Sequence, residues 1–257
     1  MPSAEPPDLT GTPYRLLGRT VRGEFGSWHA VDDAGNRFIV KRTWTEDGIA
    51  AAKLLRAEGY PAPRYVLVAD GIAVMEELPG DPLSLWQPLD DAATARIFEL
   101  NELQAGKRVQ NAPPWPERIY DDVIRGHYHV DLELLGRHAP ELLAWCRQAV
   151  ETAYLVDPGD VVHWDFTTAN VLALAGEITG VVDWDGVVNG DRLFDLVTLF
   201  YYTRTESLRE YVLERASLVV FRAYLAAVVV RQTAFSLKFH APGVGPELIA
   251  DALELTA

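Results

Sequence analysis

The polar stretch His163-Trp164-Asp165-Phe166-Thr167-Thr168-Ala169-Asn170 holds the residue types in this chain most suited to chemistry. Asp165 and Asn170 stand five apart between two apolar runs. Thirteen residues after Asn170 comes Val181-Val182-Asp183-Trp184-Asp185, an acid at the end of a second β-branched run. Transfer of a phosphoryl group from a nucleotide needs groups of this kind. One carboxylate accepts the proton of the attacking hydroxyl, while an amide oxygen and a second carboxylate hold Mg2+ against the phosphates. A histidine after two valines is by itself an ordinary core residue, and His-x-Asp alone is common. The weight lies in the combination of fixed spacings, flanking β-like runs and a β-rich segment upstream.

That upstream segment is the first of the elements that must position these groups. Residues 14–78 read mostly as strands with one helix among them. The runs 21–22, 27–31 and 37–42 are β-like, and Asp32-Asp33-Ala34-Gly35-Asn36 has hairpin-turn chemistry. Thr45 reads as the N-cap of a helix over 46–58, with Glu46 and Asp47 in its first turn and Gly59, Pro61 and Pro63 beyond it. Strands over 65–69 and 72–77 join through Asp70-Gly71, and Leu78-Pro79-Gly80-Asp81-Pro82 closes the β-rich part. After it, residues 90–106, 119–136, 140–156 and 192–230 are helical in period, with a shorter helix over 246–255. A β-like island at 161–162, 170–173 and 178–182 interrupts them. The expected organisation is α+β: a flexible tail over 1–13, a small β-rich lobe with one main helix over 14–79, and a larger, mostly helical lobe over 80–257.

Composition narrows the function classes. The 257 residues hold 23 Lys plus Arg against 37 Asp plus Glu, a net charge of −14 at pH 7. Residues 1–79 hold 11 acids and 9 bases, and residues 80–257 hold 26 acids and 14 bases. A nucleic-acid binder needs basic patches to replace phosphate counterions, so that class is not expected. One cysteine, Cys146, excludes an internal disulfide and any multi-cysteine zinc site; in the apolar run 142–150 it reads as a buried thiol. The N-terminus has no basic region followed by an apolar core, and the apolar run 216–230 is broken by Arg222 and is shorter than the ~20 residues a membrane helix needs. A soluble, cytoplasmic protein without a membrane partner is the expectation, as monomer or dimer.

The order His-x-Asp, Asn at plus five, then Asp after an intervening hairpin is the catalytic-loop and metal-loop arrangement of protein kinases. HWDFTTAN followed by GVVDWDGVVNGDRLFDL resembles the aminoglycoside phosphotransferase family, the small-molecule branch of the bilobal protein-kinase-like fold. The resemblance covers roughly residues 14–204. It implies Asp165 as catalytic base, Asn170 and Asp183 as Mg2+ ligands, His163 as a brace for the loop, and Asp191 and Asp195 as anchors beneath the site. It also implies ATP or GTP as cofactor. Lys41, at the end of Phe38-Ile39-Val40-Lys41, falls where the template places the lysine of the α/β-phosphates. Gly26 and Ser27 lie in the preceding hairpin, at the end of Gly23-Glu24-Phe25-Gly26-Ser27, which lacks a full G-x-G-x-x-G. Met75 would line the adenine pocket, with Glu77 and Leu78 offering main-chain groups.

The chain departs from the template at Trp164 and Thr167-Thr168, which stand where many relatives carry small and His/Pro residues, and at the partner of Lys41. The template lysine pairs with a helical glutamate, and here only Glu46 and Glu58, at the two ends of the expected helix, are candidates. Protein kinases carry a lysine where this chain has Thr167, and Ala139-Pro140-Glu141 precedes the catalytic loop instead of following it, so a protein substrate is not expected. The acceptor is expected to be a hydroxyl-bearing small molecule. The acidic second lobe favours a polycationic antibiotic, with Asp121, Asp122, Asp185, Glu247 and Asp251 as candidate contacts. An aromatic pocket of Trp164, Trp184, Tyr201 and Tyr202 would instead suit a less charged one. A metabolite kinase for an amino alcohol or sugar, and a pseudokinase-like binding protein, remain as alternatives.

Overall fold

The computed structural model describes residues 5–20, 26–69, 71–126, 130–239 and 244–256. Its first part is an antiparallel sheet made from β1 (Tyr14–Arg19), β2 (Ser27–Asp32), β3 (Arg37–Lys41), β4 (Tyr65–Ala69) and β5 (Ile72–Glu76), in the order β1-β2-β3-β5-β4. Opposed residues in a sheet share a face. The register sets Ser27 against Lys41 and Lys41 against Ala73; in the next row it sets His29 against Ile39 and Ile39 against Met75. Ser27, Lys41 and Met75 therefore look out from one face. The other face carries Trp28, Ala30, Phe38, Val40, Ile72 and Val74, which form a small core of their own. Leu9 completes that core, and the Pro6 carbonyl accepts a hydrogen bond from Arg42 at 3.1 Å. Residues 5–13 are thus laid on the sheet rather than forming the loose tail expected, because Leu9 removes apolar surface from water there. The expected strand at 21–22, the loop residues Gly23 to Phe25, and Asp70 lie outside the described residues.

Helix α1 (Glu46–Arg56) starts where the sequence predicts, with Thr45 Oγ1 accepting from the Gly48 amide at 3.0 Å. It ends two residues before the expected Glu58. The chain leaves the sheet through Gly80, whose φ of +107° and close approach to the Ala173 carbonyl, 2.6 Å from where a Cβ would stand, exclude a side chain.

The second part is built on helices. They are α2 (Asp91–Gln104), α3 (Trp115–Tyr120), α4 (Leu132–His138), α5 (Pro140–Glu151), α6 (Leu193–Thr203), α7 (Glu206–Leu213), α8 (Leu218–Phe239) and α9 (Val244–Thr256). Two predicted helices prove to be composite. The run 119–136 divides into α3, a π-helical turn over Asp121–Arg125, and α4; the run 192–230 breaks at Arg204, which caps α6 with a φ of +58°. Helix α8 has 22 residues and a mean hydropathy of 1.5 over an 18-residue stretch, so by length and composition it could cross a membrane, contrary to the shorter run expected. Most of it is buried against α5, α6 and α9, which makes it the central core helix. Cys146 of α5 is buried, as expected, and burial pushes its thiol pKa up.

Small strands sit between sheet and helices: β6 (Asp81–Pro82), β7 (Asp160–Val162), β8 (Val171–Leu174), β9 (Glu177–Val181) and β10 (Val188–Gly190). β6, β8 and β9 form one antiparallel sheet and β7 pairs with β10. The two loops that carry the polar residues, 163–170 and 182–187, emerge from these strands and face the sheet bearing Lys41.

Candidate active site

Residues 163–170 join β7 to β8, and their backbone is folded by its own side chains. The Asp165 carbonyl accepts from the Thr167 amide at 2.8 Å and from Asn170 Nδ2 at 2.8 Å, and Asn170 Nδ2 also reaches Asp165 Oδ2 at 2.9 Å. The Asn170 side chain thus spends its donor on Asp165 and keeps its oxygen for another partner. The Asn170 carbonyl accepts from the Val182 amide at 2.9 Å, and the Val182 carbonyl lies 2.9 Å from His163 Nε2. His163 is fully buried and joins the two loops through Val182.

The loop is also held from below. Asp195, fully buried in the first turn of α6, accepts from the His163 amide at 2.8 Å, the Trp164 amide at 3.0 Å and Gln104 Nε2 at 2.7 Å. Burial raises its pKa above the usual carboxylate value, opposed by these donors. Asp191 accepts from the Leu193 amide at 2.9 Å and the Tyr224 hydroxyl at 2.6 Å, and burial raises its pKa too. These contacts match the anchoring places expected for both residues. Trp164 has a φ of +73° and Asp183 a φ of +66°. Left-handed backbone at such residues costs about 1–3 kcal/mol each and persists where the surroundings impose it.

Across the cleft, Lys41 is buried and its Nζ lies 2.6 Å from Asp183 Oδ1 and 2.7 Å from Asp185 Oδ2. Burial alone would depress the lysine pKa, but the two carboxylates outweigh it and hold it above its ordinary value. Burial raises the Asp185 pKa although Lys41 opposes the shift, and among the described residues Asp185 Oδ1 meets no hydrogen-bond donor. Tyr65 is pushed up to about 12 by burial beside this group. Neither expected glutamate pairs with Lys41. Glu58 binds Lys107 at 2.6 Å, and no hydrogen bond or ion pair joins Glu46 to Lys41. Helix α1 instead approaches the 182–187 loop by its backbone. A Cβ on Gly48 would stand 2.7 Å from the Trp184 carbonyl, and Thr45 Oγ1 donates to the Asp185 carbonyl at 3.3 Å.

The other predicted residues fall into place unevenly. Gly26 is buried, and Ser27 Oγ pairs with Thr20 Oγ1 at 2.6 Å. Met75 is buried on the Lys41 face. The Glu77 amide donates to the Arg37 carbonyl at 3.2 Å, and its carboxylate pairs with Arg37 at 2.8 Å and His29 at 3.2 Å. Leu78 packs where Gly180 leaves room for it. Asp185, expected at the acceptor, is engaged by Lys41 instead. Trp164, Trp184 and Tyr201 are core residues and wall no open pocket: Trp164 stacks on Phe194 at 4.5 Å, and Trp184 donates to the Val181 carbonyl at 3.0 Å. Asp121 pairs with Arg125; Asp122 is buried, 3.8 Å from Arg118 and 3.7 Å from Arg231. Two residues absent from the sequence prediction stand in the site, Gln104 beneath it and Arg231 beside it. Only Arg231 left a signal, as a cation inside a buried apolar helix, which must find partners.

The sequence profile of the Phosphotransferase enzyme family matches residues 23–227. A hygromycin-B 4-O-kinase of Escherichia coli is 34% identical over 62 residues, a stretch that spans 24% of this chain and 16% of that one. Among solved structures, aminoglycoside phosphotransferase APH(4)-Ia superposes with a TM-score of 0.71 for the apo form of a thermostable mutant, at 17% identity over 94% of both chains. A ternary complex of that enzyme with ADP and hygromycin B gives 0.70, covering 94% of this chain and 93% of that one. Choline kinase LicA of Streptococcus pneumoniae gives 0.61 at 14% identity, over 94% of both. With four-fifths of its length inside the family profile and the protein-kinase-like fold throughout, the chain belongs to the Phosphotransferase enzyme family.

Proposed function

We propose that the chain is a Mg2+-dependent O-phosphotransferase that moves the γ-phosphate of ATP or GTP to a hydroxyl of a small molecule, an antibiotic of aminoglycoside type being the first acceptor class to test. The observation that carries this reading is the convergence of Lys41 with Asp183 and Asp185 within 2.7 Å, on a loop that Val182 ties by hydrogen bonds to the loop of Asp165 and Asn170. In this reading residues 14–79 form the nucleotide lobe and 80–257 the acceptor lobe, with Gly26, Ser27, Met75, Glu77 and Leu78 around the nucleotide.

The donor set suits Mg2+. Asp183, the free oxygen of Asn170 and the unpartnered Asp185 Oδ1 are hard oxygen ligands, and phosphate oxygens complete such sites. Among the described residues no group of three His, Cys, Asp or Glu side chains forms a metal cage by itself, which accords with an ion shared with substrate phosphates. Bound there, the ion supplies charge neutralisation at the phosphates. Lys41 binds phosphate oxygens in exchange for a carboxylate. Asp165, its side chain 46% exposed, orients the acceptor hydroxyl and takes its proton. His163 and Asp195 keep the loop in place, so the site contributes mainly positioning and electrostatics.

Nucleotide-dependent turnover against a panel of aminoglycosides, nucleoside and peptide antibiotics, choline and sugars tests this reading. Asp165→Ala should abolish transfer while the protein stays folded; near-wild-type turnover in that variant would remove the central assignment. A metabolite kinase is the second reading. It is favoured by the pairing of Asp121, Asp122 and Asp251 with arginines, which occupies carboxylates that a polycation would need.

A further inference from the structure

Between Arg222 and Lys238, helix α8 has a single charged residue, Arg231, preceded by eight buried residues from Ala223 to Val230. A guanidinium at such a place is unfavourable unless it is paired. Two of its three partners belong to the loop that carries Asp165. Nη1 donates to the Trp164 carbonyl at 2.8 Å, Nη2 lies 3.5 Å from Asp165 Oδ1, and Nε lies 3.7 Å from Asp122 Oδ2. The guanidinium carbon stands 4.9 Å from the centroid of the Trp164 ring. Asp122 is 2% exposed on the π-helical turn, so it fixes the guanidinium from a rigid position.

We propose that Arg231 is a positioning residue for phosphoryl transfer, acting through Asp165 and resting on the reading of Asp165 as the base. Asn170 holds Asp165 Oδ2 at 2.9 Å and Arg231 faces Oδ1, so the carboxylate is held on both sides instead of rotating about its χ angles. The same guanidinium pins the carbonyl of Trp164, whose left-handed backbone would otherwise relax and swing Asp165 out of line. A lysine could make one of these contacts. Only a planar fork makes the three together.

The test compares Arg231→Gln, Arg231→Lys, Asp165→Asn, the double variant Arg231→Gln/Asp165→Asn, and Arg231→Gln/Asp122→Asn, which also removes the carboxylate that Arg231 shares with Arg118. Turnover is measured with ATP, Mg2+ and the acceptor found in the panel, alongside Mg·AMP-PNP affinity by calorimetry. Misplacing a reacting group by an ångström costs about 100-fold, so kcat of Arg231→Gln should fall about 10–100-fold, with nucleotide KM and AMP-PNP affinity changed less than about threefold. Arg231→Lys should recover part of the loss. Arg231→Gln/Asp122→Asn should not regain kcat, and Arg231→Gln/Asp165→Asn should be no slower than Asp165→Asn. A kcat for Arg231→Gln within twofold of wild type, with Asp165→Asn inactive, overturns the proposal alone. Losses that multiply in the double variant also overturn it, since the guanidinium would then act on phosphate or acceptor directly. An active Asp165→Asn overturns the base assignment itself.

Discussion

If the loop bearing Asp165 is held from beneath by Asp195, removing that carboxylate has a cost that can be worked from three hydrogen bonds. Oδ2 accepts from the His163 amide at 2.8 Å and Gln104 at 2.7 Å, and Oδ1 accepts from the Trp164 amide at 3.0 Å. In Asp195→Asn the amide oxygen can replace only one carboxylate oxygen. Placed at Oδ2 it keeps two bonds and turns its NH2 towards the Trp164 amide, orphaning one buried donor. That costs about 1–3 kcal/mol. Loss of the buried charge offsets part of it, because burial already opposes ionisation of Asp195. Asp195→Ala orphans all three donors, at about 3–6 kcal/mol, since neighbouring bonds do not add fully. A domain of this size loses about 2–4 °C in Tm per kcal/mol. The alanine variant should therefore melt roughly 6–24 °C below wild type and the asparagine variant roughly 2–12 °C below. Calorimetry and urea unfolding read both. An alanine variant within about 1 kcal/mol of wild type, or an asparagine variant as costly as alanine, would refute the argument.

Two further outcomes follow from the same loops. Gly48→Ala pushes a methyl to 2.7 Å from the Trp184 carbonyl, so α1 must move off the 182–187 loop. A loss of about 1–3 kcal/mol with weaker Mg·AMP-PNP binding is expected, and calorimetry showing unchanged affinity would contradict the coupling. For Asp191, burial raises the folded-state pKa above 3.8, so its stabilising contribution is full below that value and is lost as pH rises through the folded pKa. The advantage of wild type over Asp191→Asn in urea unfolding should accordingly be greatest near about pH 4 and shrink towards neutrality. An advantage that grows with pH would reverse the sign.

The parts legible in the sequence were those written locally. Thr45 caps α1 because its hydroxyl reaches an amide three residues on, and the strand pattern up to residue 76 follows alternation that needs no partner to be read. Asp165 and Asn170 sit in contact for the same reason, five residues apart in a tight loop. The partner of Lys41 was not legible. It lies 142 and 144 residues away on the 182–187 loop, whereas the expectation of a helical glutamate came from the family resemblance and not from this chain's own residues. Gly48 lets the backbone of α1 meet the backbone of that loop. The aromatic residues misled for a different reason. Trp164 and Trp184 lie within the polar loops in sequence, yet their large apolar area is buried in the core.

The acidic second lobe shows how a composition argument changes once pairs are visible. Steering of a cation depends on net charge over the surface, which the excess of acids still supplies. Binding depends on carboxylates left to receive it. Asp121, Asp122 and Asp251 each face an arginine, and Asp183 and Asp185 face Lys41. A polycationic acceptor would have to compete with those arginines, and each exchange leaves a guanidinium in need of a new partner. On the reading proposed above the Lys41 group differs, because bound phosphates would take the ammonium and a bound Mg2+ would leave the carboxylates with a counter-charge. On that reading the charges of the Lys41 group would suit a nucleotide as they stand, and recognition of the acceptor would fall to groups that net charge does not reveal.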